Sequence, residues 1–247
     1  MITIGCGEKK FPKIEAVIFD KDGTLEDSQN FLREMGIKRA RIIDAQIPGI
    51  GEPLLMAFGI QDDTIDPTGL MAVGSRRENE IAAAAYIAET GRSWFAAMEI
   101  ASKAFAEADR YMKNNPSTST LFAGSLELLK YLSEAGLKLG ILSADTTESV
   151  KKFVTTHKLE EYVQLTMGVD GGISKPDPVL FIQACATLGV KPEVTLMVGD
   201  SLGDIDMAKK AGAAGVIGIC WGKANGDHLK GADVAIAQLN EIKVFTF

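Results

Sequence analysis

The sequence predicts an α/β protein: a parallel sheet carrying helices on both faces, with a helical segment inserted after its first strand. Short apolar, β-branched runs alternate with helix-like stretches, which is the pattern of a parallel sheet rather than of hairpins. The first three of these runs end in acids or hydroxyls, and residues 28–116 hold almost no strand-like run. In chain order, IEAVIF at 14–19 reads as a buried strand that stops at Asp20 and Asp22. The insert follows, rich in Ala and Met, with the long helical patterns ENEIAAAAYIAET and SWFAAMEIASKAFAEADRYM broken by the turn-like IPGIGEP and DDTIDPTG. Within it Trp94, Phe95, Met98 and Phe105 fall near helical spacing and are expected to form the insert's own core. SLELLKYLSEAG reads as a helix with Ser125 as N-cap and Gly136 as its stop. KLGILSAD then forms a strand ending at Ser143 and Asp145, VTLMVGDS one ending at Asp200, and GVIGICWG a fourth. The expected division is a core of 1–27 with 117–247 and an insert of 28–116, hinged near 26–28 and 115–120.

Size and charge set the outer limits. The 247 residues suffice for a substantial core, and 46% apolar with 24% charged residues is ordinary for a globular protein. The N-terminus MITIGCGEKKF lacks a basic head followed by an apolar stretch, and no run could span a bilayer, so a cytoplasmic protein without a membrane role is expected. A net charge of −7 argues against nucleic acid as a main partner, although a few local cations and a metal can still hold a small anion. Cys6, Cys185 and Cys220 are odd in number and widely spaced, which suits reduced thiols. The Gly5-Cys6-Gly7 pair lacks the third glycine and following helix of a dinucleotide loop. His157 and His228 show no partner pattern and are expected to be packing or surface residues.

The chemistry is concentrated where the strands end, which is where open parallel sheets bind their ligands. In FDKDGTL, Asp20 and Asp22 sit two apart, so on an extended chain they face one site while Lys21 faces another. Two carboxylates so close repel unless a cation intervenes, and Mg²⁺ takes oxygen ligands while leaving room for a substrate phosphate. Asp200 and Asp204 in VGDSLGD supply further oxygens at a strand end and a helix start. Such a set suits attack on a phosphate monoester, in which one ionised carboxylate is the nucleophile and a second carboxyl protonates the leaving alkoxide. Lys175 in SKPDP adds a fixed cation, and Thr24 and Ser143 add hydroxyl donors, for the phosphoryl oxygens. Taken singly, each feature also reads as a capped turn or a solvated surface group. Arg76 and Arg77 in the insert could select a substrate acid group, or be surface arginines.

FDKDGTL, ILSAD with Ser143, the Lys175-Pro176 pair and VGDSLGD together resemble the four ordered motifs of the haloacid dehalogenase (HAD) superfamily, in its phosphoglycolate phosphatase-like branch. The resemblance implies a Rossmann-like three-layer α/β/α core and an all-helical cap domain that closes over the substrate. It implies Asp20 as the nucleophile that forms an aspartyl-phosphate and Asp22 as general acid and then base. Phosphate would be bound by Thr24, Ser143, Ala144 and Lys175. Mg²⁺ would be held by Asp20, the Asp22 backbone carbonyl and Asp200, with Ser201 and Asp204 in support. The expected substrate is a small phosphorylated metabolite, of phosphoglycolate, sugar phosphate or nucleotide type. Lys21 departs from the apolar residue usual at its position; pointing away, it is expected to affect packing or a surface contact. The acid at Asp22 sets the chain apart from dehalogenases and phosphonate hydrolases. A phosphosugar mutase is the alternative reading, and a catalytically idle binding protein a third.

Overall fold

The computed structural model describes residues 2–114, 119–221 and 226–246. The chain divides into two compact units, Met1–Asp27 with Leu121–Phe247, and Ser28–Thr120. The second crossing point expected from the sequence, between 116 and 117, lies outside the described residues, as does most of the hinge near 115–120.

In the first unit six parallel strands run in the spatial order Val234–Ile236, Gly215–Ile219, Thr195–Gly199, Ala16–Phe19, Lys138–Leu142 and Leu165–Met167. The central strand Ala16–Phe19 is buried at every position, which is why its sequence reads as an uninterrupted apolar run. Its register puts Phe19 opposite both Val198 and Ile141. Asp20, Asp200 and Ser143 therefore leave three adjacent strands at the same edge of the sheet. Helices Ser125–Glu134 and Thr147–Thr156 contribute Leu128, Leu129, Leu132, Val150 and Phe153 to one apolar layer. Helices Pro178–Leu188 and Leu202–Lys210 contribute Phe181, Cys185, Ile205 and Met207 to the other, giving three layers.

Two outer strands of the parallel sheet, Leu165–Met167 and Val234–Ile236, are three residues each and too short to register as periodic runs. A separate antiparallel sheet, Ile242–Thr246 beside Ile2–Cys6 beside Lys9–Ile14, was also unexpected. Its central strand carries Gly5 and Cys6. Phe11 from this sheet lies where a side chain on Gly215 would stand, with the nearest ring carbon 2.2 Å from that position. Ser125 is not an N-cap: Gly124 takes that place, and the fully buried Ser125 hydroxyl donates to the Leu25 carbonyl at 3.0 Å. All three cysteines are free, and Cys6 and Cys185 are buried.

The second unit is mainly helical, with Gln29–Gln46, Gly51–Phe58, Arg76–Glu89 and Trp94–Asn114 around a core that includes Ile43, Leu54, Phe58, Ile87 and Phe105. It is not all-helical, since Ile60–Gln61 and Thr64–Ile65 pair as a small antiparallel hairpin. Asp62 at its turn adopts a positive φ of 50°, a conformation aspartate tolerates better than most residues. Phe105 is buried here and Met98 half-buried, but Trp94 and Phe95 are 46% and 85% exposed, because they begin the helix before its inward stripe is established. Among the described residues no helix is long and apolar enough to cross a membrane.

Candidate active site

Asp20, Asp200 and Asp204 bring one carboxylate oxygen each within 4.8 Å of one another. The Asp20 amide donates to the Val198 carbonyl at 2.9 Å, continuing the strand ladder by one residue and fixing where its side chain starts. Asp204 sits in the first turn of Leu202–Lys210, in a capping box: the Ser201 hydroxyl accepts from the Asp204 amide at 3.2 Å and the Ser201 amide donates to Asp204 Oδ2 at 3.3 Å, with the Ser201 hydroxyl also donating to Oδ2 at 2.6 Å. Lys175 reaches in from the loop before helix Pro178–Leu188. Its Nζ lies 2.5 Å from Asp20 Oδ1 and 2.7 Å from Asp204 Oδ1. Gly23, at φ +77°, lets the Asp200 carboxylate pack against its backbone; a Cβ there would lie 1.9 Å from Asp200 Oδ2.

One lysine faces three carboxylates in this cluster. Burial, with the neighbouring charges of Asp204 and Asp22, raises the Asp20 carboxyl to about 7 against the pull of Lys175. Burial and the charges of Asp20 and Asp204 likewise hold Asp200 well above the usual carboxylate range. Lys175 is buried too, but Asp20 and Asp204 outweigh that and keep its ammonium firmly charged. A group of hard oxygen donors with surplus negative charge in a low-dielectric setting fits a divalent cation such as Mg²⁺.

The Asp22 carboxylate is not a member of this group. It pairs with Lys21, whose Nζ lies 2.7 Å from Asp22 Oδ2. Lys21 does not point away, as strand alternation suggested. The strand ends at Phe19, and residues 21–26 curl into a tight loop in which the amides of Leu25 and Glu26 both donate to the Lys21 carbonyl at 3.0 Å. The two-residue periodicity stops with the strand, so Lys21 folds back, buried, onto Asp22, Glu26 and Asp145.

Thr24 is fully buried, and its hydroxyl meets no hydrogen-bond partner among the described residues. Ser143, also buried, accepts a hydrogen bond from the Asp145 amide at 3.1 Å, and Ala144 beside it is half-buried. Arg76 is tied up inside the second unit: Nη1 meets Glu80 at 2.6 Å, while Nε and Nη2 grip Asp109 at 3.1 and 3.0 Å. Nε and Nη2 share one oxygen, Asp109 Oδ2, so a substrate acid group would have to compete with carboxylates already in place. Arg77 is more exposed, with Glu80 at 3.6 Å. His157 stacks obliquely on Phe153 and comes within 3.9 Å of Glu26, which makes it a packing residue. The Lys21, Glu26 and Asp145 grouping was not anticipated. A lone lysine among four acids in FDKDGTLED was the available signal.

The fold and this edge of the sheet define a hydrolase of the haloacid dehalogenase class. The haloacid dehalogenase-like hydrolase family matches residues 14–212, and the chain belongs to it. It is 29% identical over 202 residues to the N-acetylmuramic acid 6-phosphate phosphatase of Pseudomonas putida, covering 81% of this chain and 80% of that one. To the phosphoglycolate phosphatase of Yersinia pestis it is 28% identical over 227 residues, 89% of this chain and 87% of the relative. The crystal structure of a predicted phosphoglycolate phosphatase from Haemophilus somnus superposes with a TM-score of 0.68 at 23% identity, covering 94% and 96% of the two chains. That likeness is one of fold.

Proposed function

We propose that this chain is a Mg²⁺-dependent phosphatase that hydrolyses a small phosphate monoester through a phosphoryl group carried transiently on Asp20. The carrying observation is the buried Asp20 carboxylate at a sheet edge, bound to Lys175 and grouped with Asp200 and Asp204. Relatives named for N-acetylmuramic acid 6-phosphate and phosphoglycolate support a small anionic ester as the substrate class.

In this reading Asp20, Asp200 and the Asp22 backbone carbonyl hold the cation, with Asp204 and Ser201 orienting the set. Bound there, Mg²⁺ would neutralise charge on the phosphoryl oxygens and on the acids around them. Lys175 adds a positive charge beside the attacking carboxylate and the transferring group. Thr24, Ser143 and the Ala144 backbone donate to the phosphoryl oxygens. Asp22 protonates the leaving oxygen, then takes a proton from the water that attacks the phosphoryl group on Asp20. The helical unit serves as the cap that admits one ester and not another.

Inorganic phosphate release from a panel of small esters, with Mg²⁺ and with chelator, tests this beside Asp20→Asn. Release that needs both the metal and Asp20 is expected. Sugar-phosphate isomers interconverting faster than phosphate appears would assign a mutase instead. A folded protein that turns over no ester would leave a binding role.

A further inference from the structure

Lys21 holds an unusual position in the core unit: a lysine side chain only 6% exposed, hydrogen-bonded to Asp22 and Glu26 and ion-paired at longer range with Asp145. Asp22 lies at 2.7 Å, Glu26 at 3.1 Å and Asp145 at 3.6 Å, and the ring of Phe153 lies 5.9 Å below the ammonium. These acids come from separate places. Asp22 and Glu26 belong to the loop after Ala16–Phe19, and Asp145 follows the neighbouring strand Lys138–Leu142. Asp145 is itself anchored at the start of helix Thr147–Thr156: the Thr146 amide donates to its Oδ1 at 2.8 Å, and the Ser149 hydroxyl bonds its Oδ2. Asp22, whose side chain is 17% exposed, is thereby linked through one buried ammonium to a helix terminus.

We propose that Lys21 is a positioning residue for Asp22, holding its carboxyl where it can reach the leaving oxygen of the ester. The inference rests on the phosphatase reading and adds to it a device built into this chain's FDKDGTL loop. A general acid contributes only when it stands within hydrogen-bond reach of the atom it protonates, and a displacement of about 1 Å can cost on the order of 100-fold. A purely structural role is the competing account, in which Lys21 does no more than neutralise buried acids.

The two accounts part on the leaving group. p-Nitrophenolate departs without a proton, whereas an alkoxide needs one, so a misplaced general acid harms alkyl phosphates selectively. The experiment compares kcat/KM for p-nitrophenyl phosphate and glycerol 2-phosphate at saturating Mg²⁺ in the wild type, Lys21→Met and Lys21→Arg, with Asp20→Asn as the blank. Positioning predicts that Lys21→Met lowers the alkyl ester at least about tenfold more than the aryl ester, and that Lys21→Arg regains most of the difference. An equal fall on both esters, or no fall, overturns it. Where Lys21→Met does not fold, the double variant Lys21→Met with Glu26→Gln keeps the charge balanced, and the same split is required of it. Wild-type protein that hydrolyses neither ester would refute the phosphatase reading and the inference with it, a result distinct from an unselective loss.

Discussion

Asp20→Asn should abolish turnover and, in chelator at pH 8, make the core unit more stable than the wild type. Burial raises the Asp20 carboxyl from 3.8 to about 7. A carboxyl whose folded value lies above its unfolded value favours the fold at acid pH, and that contribution is lost as pH rises through about 7. At pH 8 the charged Asp20 therefore opposes folding, with an upper bound of about 4 kcal/mol from the size of the shift. Asparagine removes the charge and leaves Lys175 its second partner, Asp204, at 2.7 Å. A gain of about 2–4 kcal/mol corresponds to roughly 5–15 °C in the melting temperature of a protein of this size. Thermal unfolding followed by circular dichroism, in chelator at pH 8 and again at pH 5.5, measures it. The gap between variant and wild type should shrink at the lower pH, where wild-type Asp20 is itself protonated. It should also shrink with Mg²⁺, because a ligand present at 100 times its Kd stabilises the form that binds it by about 2.7 kcal/mol. An Asp20→Asn protein that melts at or below the wild type in chelator at pH 8 would falsify the claim that these acids are crowded and under-neutralised.

Other perturbations probe the supports of the site. Gly23→Ala places a methyl 1.9 Å from Asp200 Oδ2 at a φ of +77°, so Asp200 must move. Its phosphate release should fall by about 100-fold, by analogy with other small misplacements. Its melting temperature should drop by only a few degrees, as suits about 1–2 kcal/mol of backbone strain; retained activity would mean that Asp200 is not needed where it stands. In the helical unit, Ser75→Ala deletes a complete capping box with Glu78. It should destabilise that unit by about 1 kcal/mol, read as a lower denaturant midpoint in chemical unfolding. An unchanged midpoint would show that the tertiary packing of Asn79, Ala83 and Ile87 alone fixes the helix start.

The sequence alone determined the layout of the core, because strands buried on both faces leave uninterrupted apolar runs and the polar groups have nowhere to go but the strand ends. Asp20, Ser143 and Asp200 were legible for that reason, whereas Lys175, in the loop before Pro178–Leu188, was legible only through its motif with Pro176. Short edge strands such as Leu165–Met167 and the sheet that pairs Ile2–Cys6 with Ile242–Thr246 were not legible. Three residues give no period, and pairing between chain ends is written in no local pattern. Tertiary structure also decided which acids stand together. Spacing grouped Asp20 with Asp22, but the chain curls immediately after Phe19, sending the Asp22 carboxylate to Lys21 and leaving Asp20 with Asp200 and Asp204. Arg76 followed the same rule, since its partner Asp109 lies 33 residues away on another helix and only packing could bring the two together. Periodicity holds for as long as an element is regular; beyond its last residue, the direction of a charged side chain is set by the nearest opposite charge that burial leaves available.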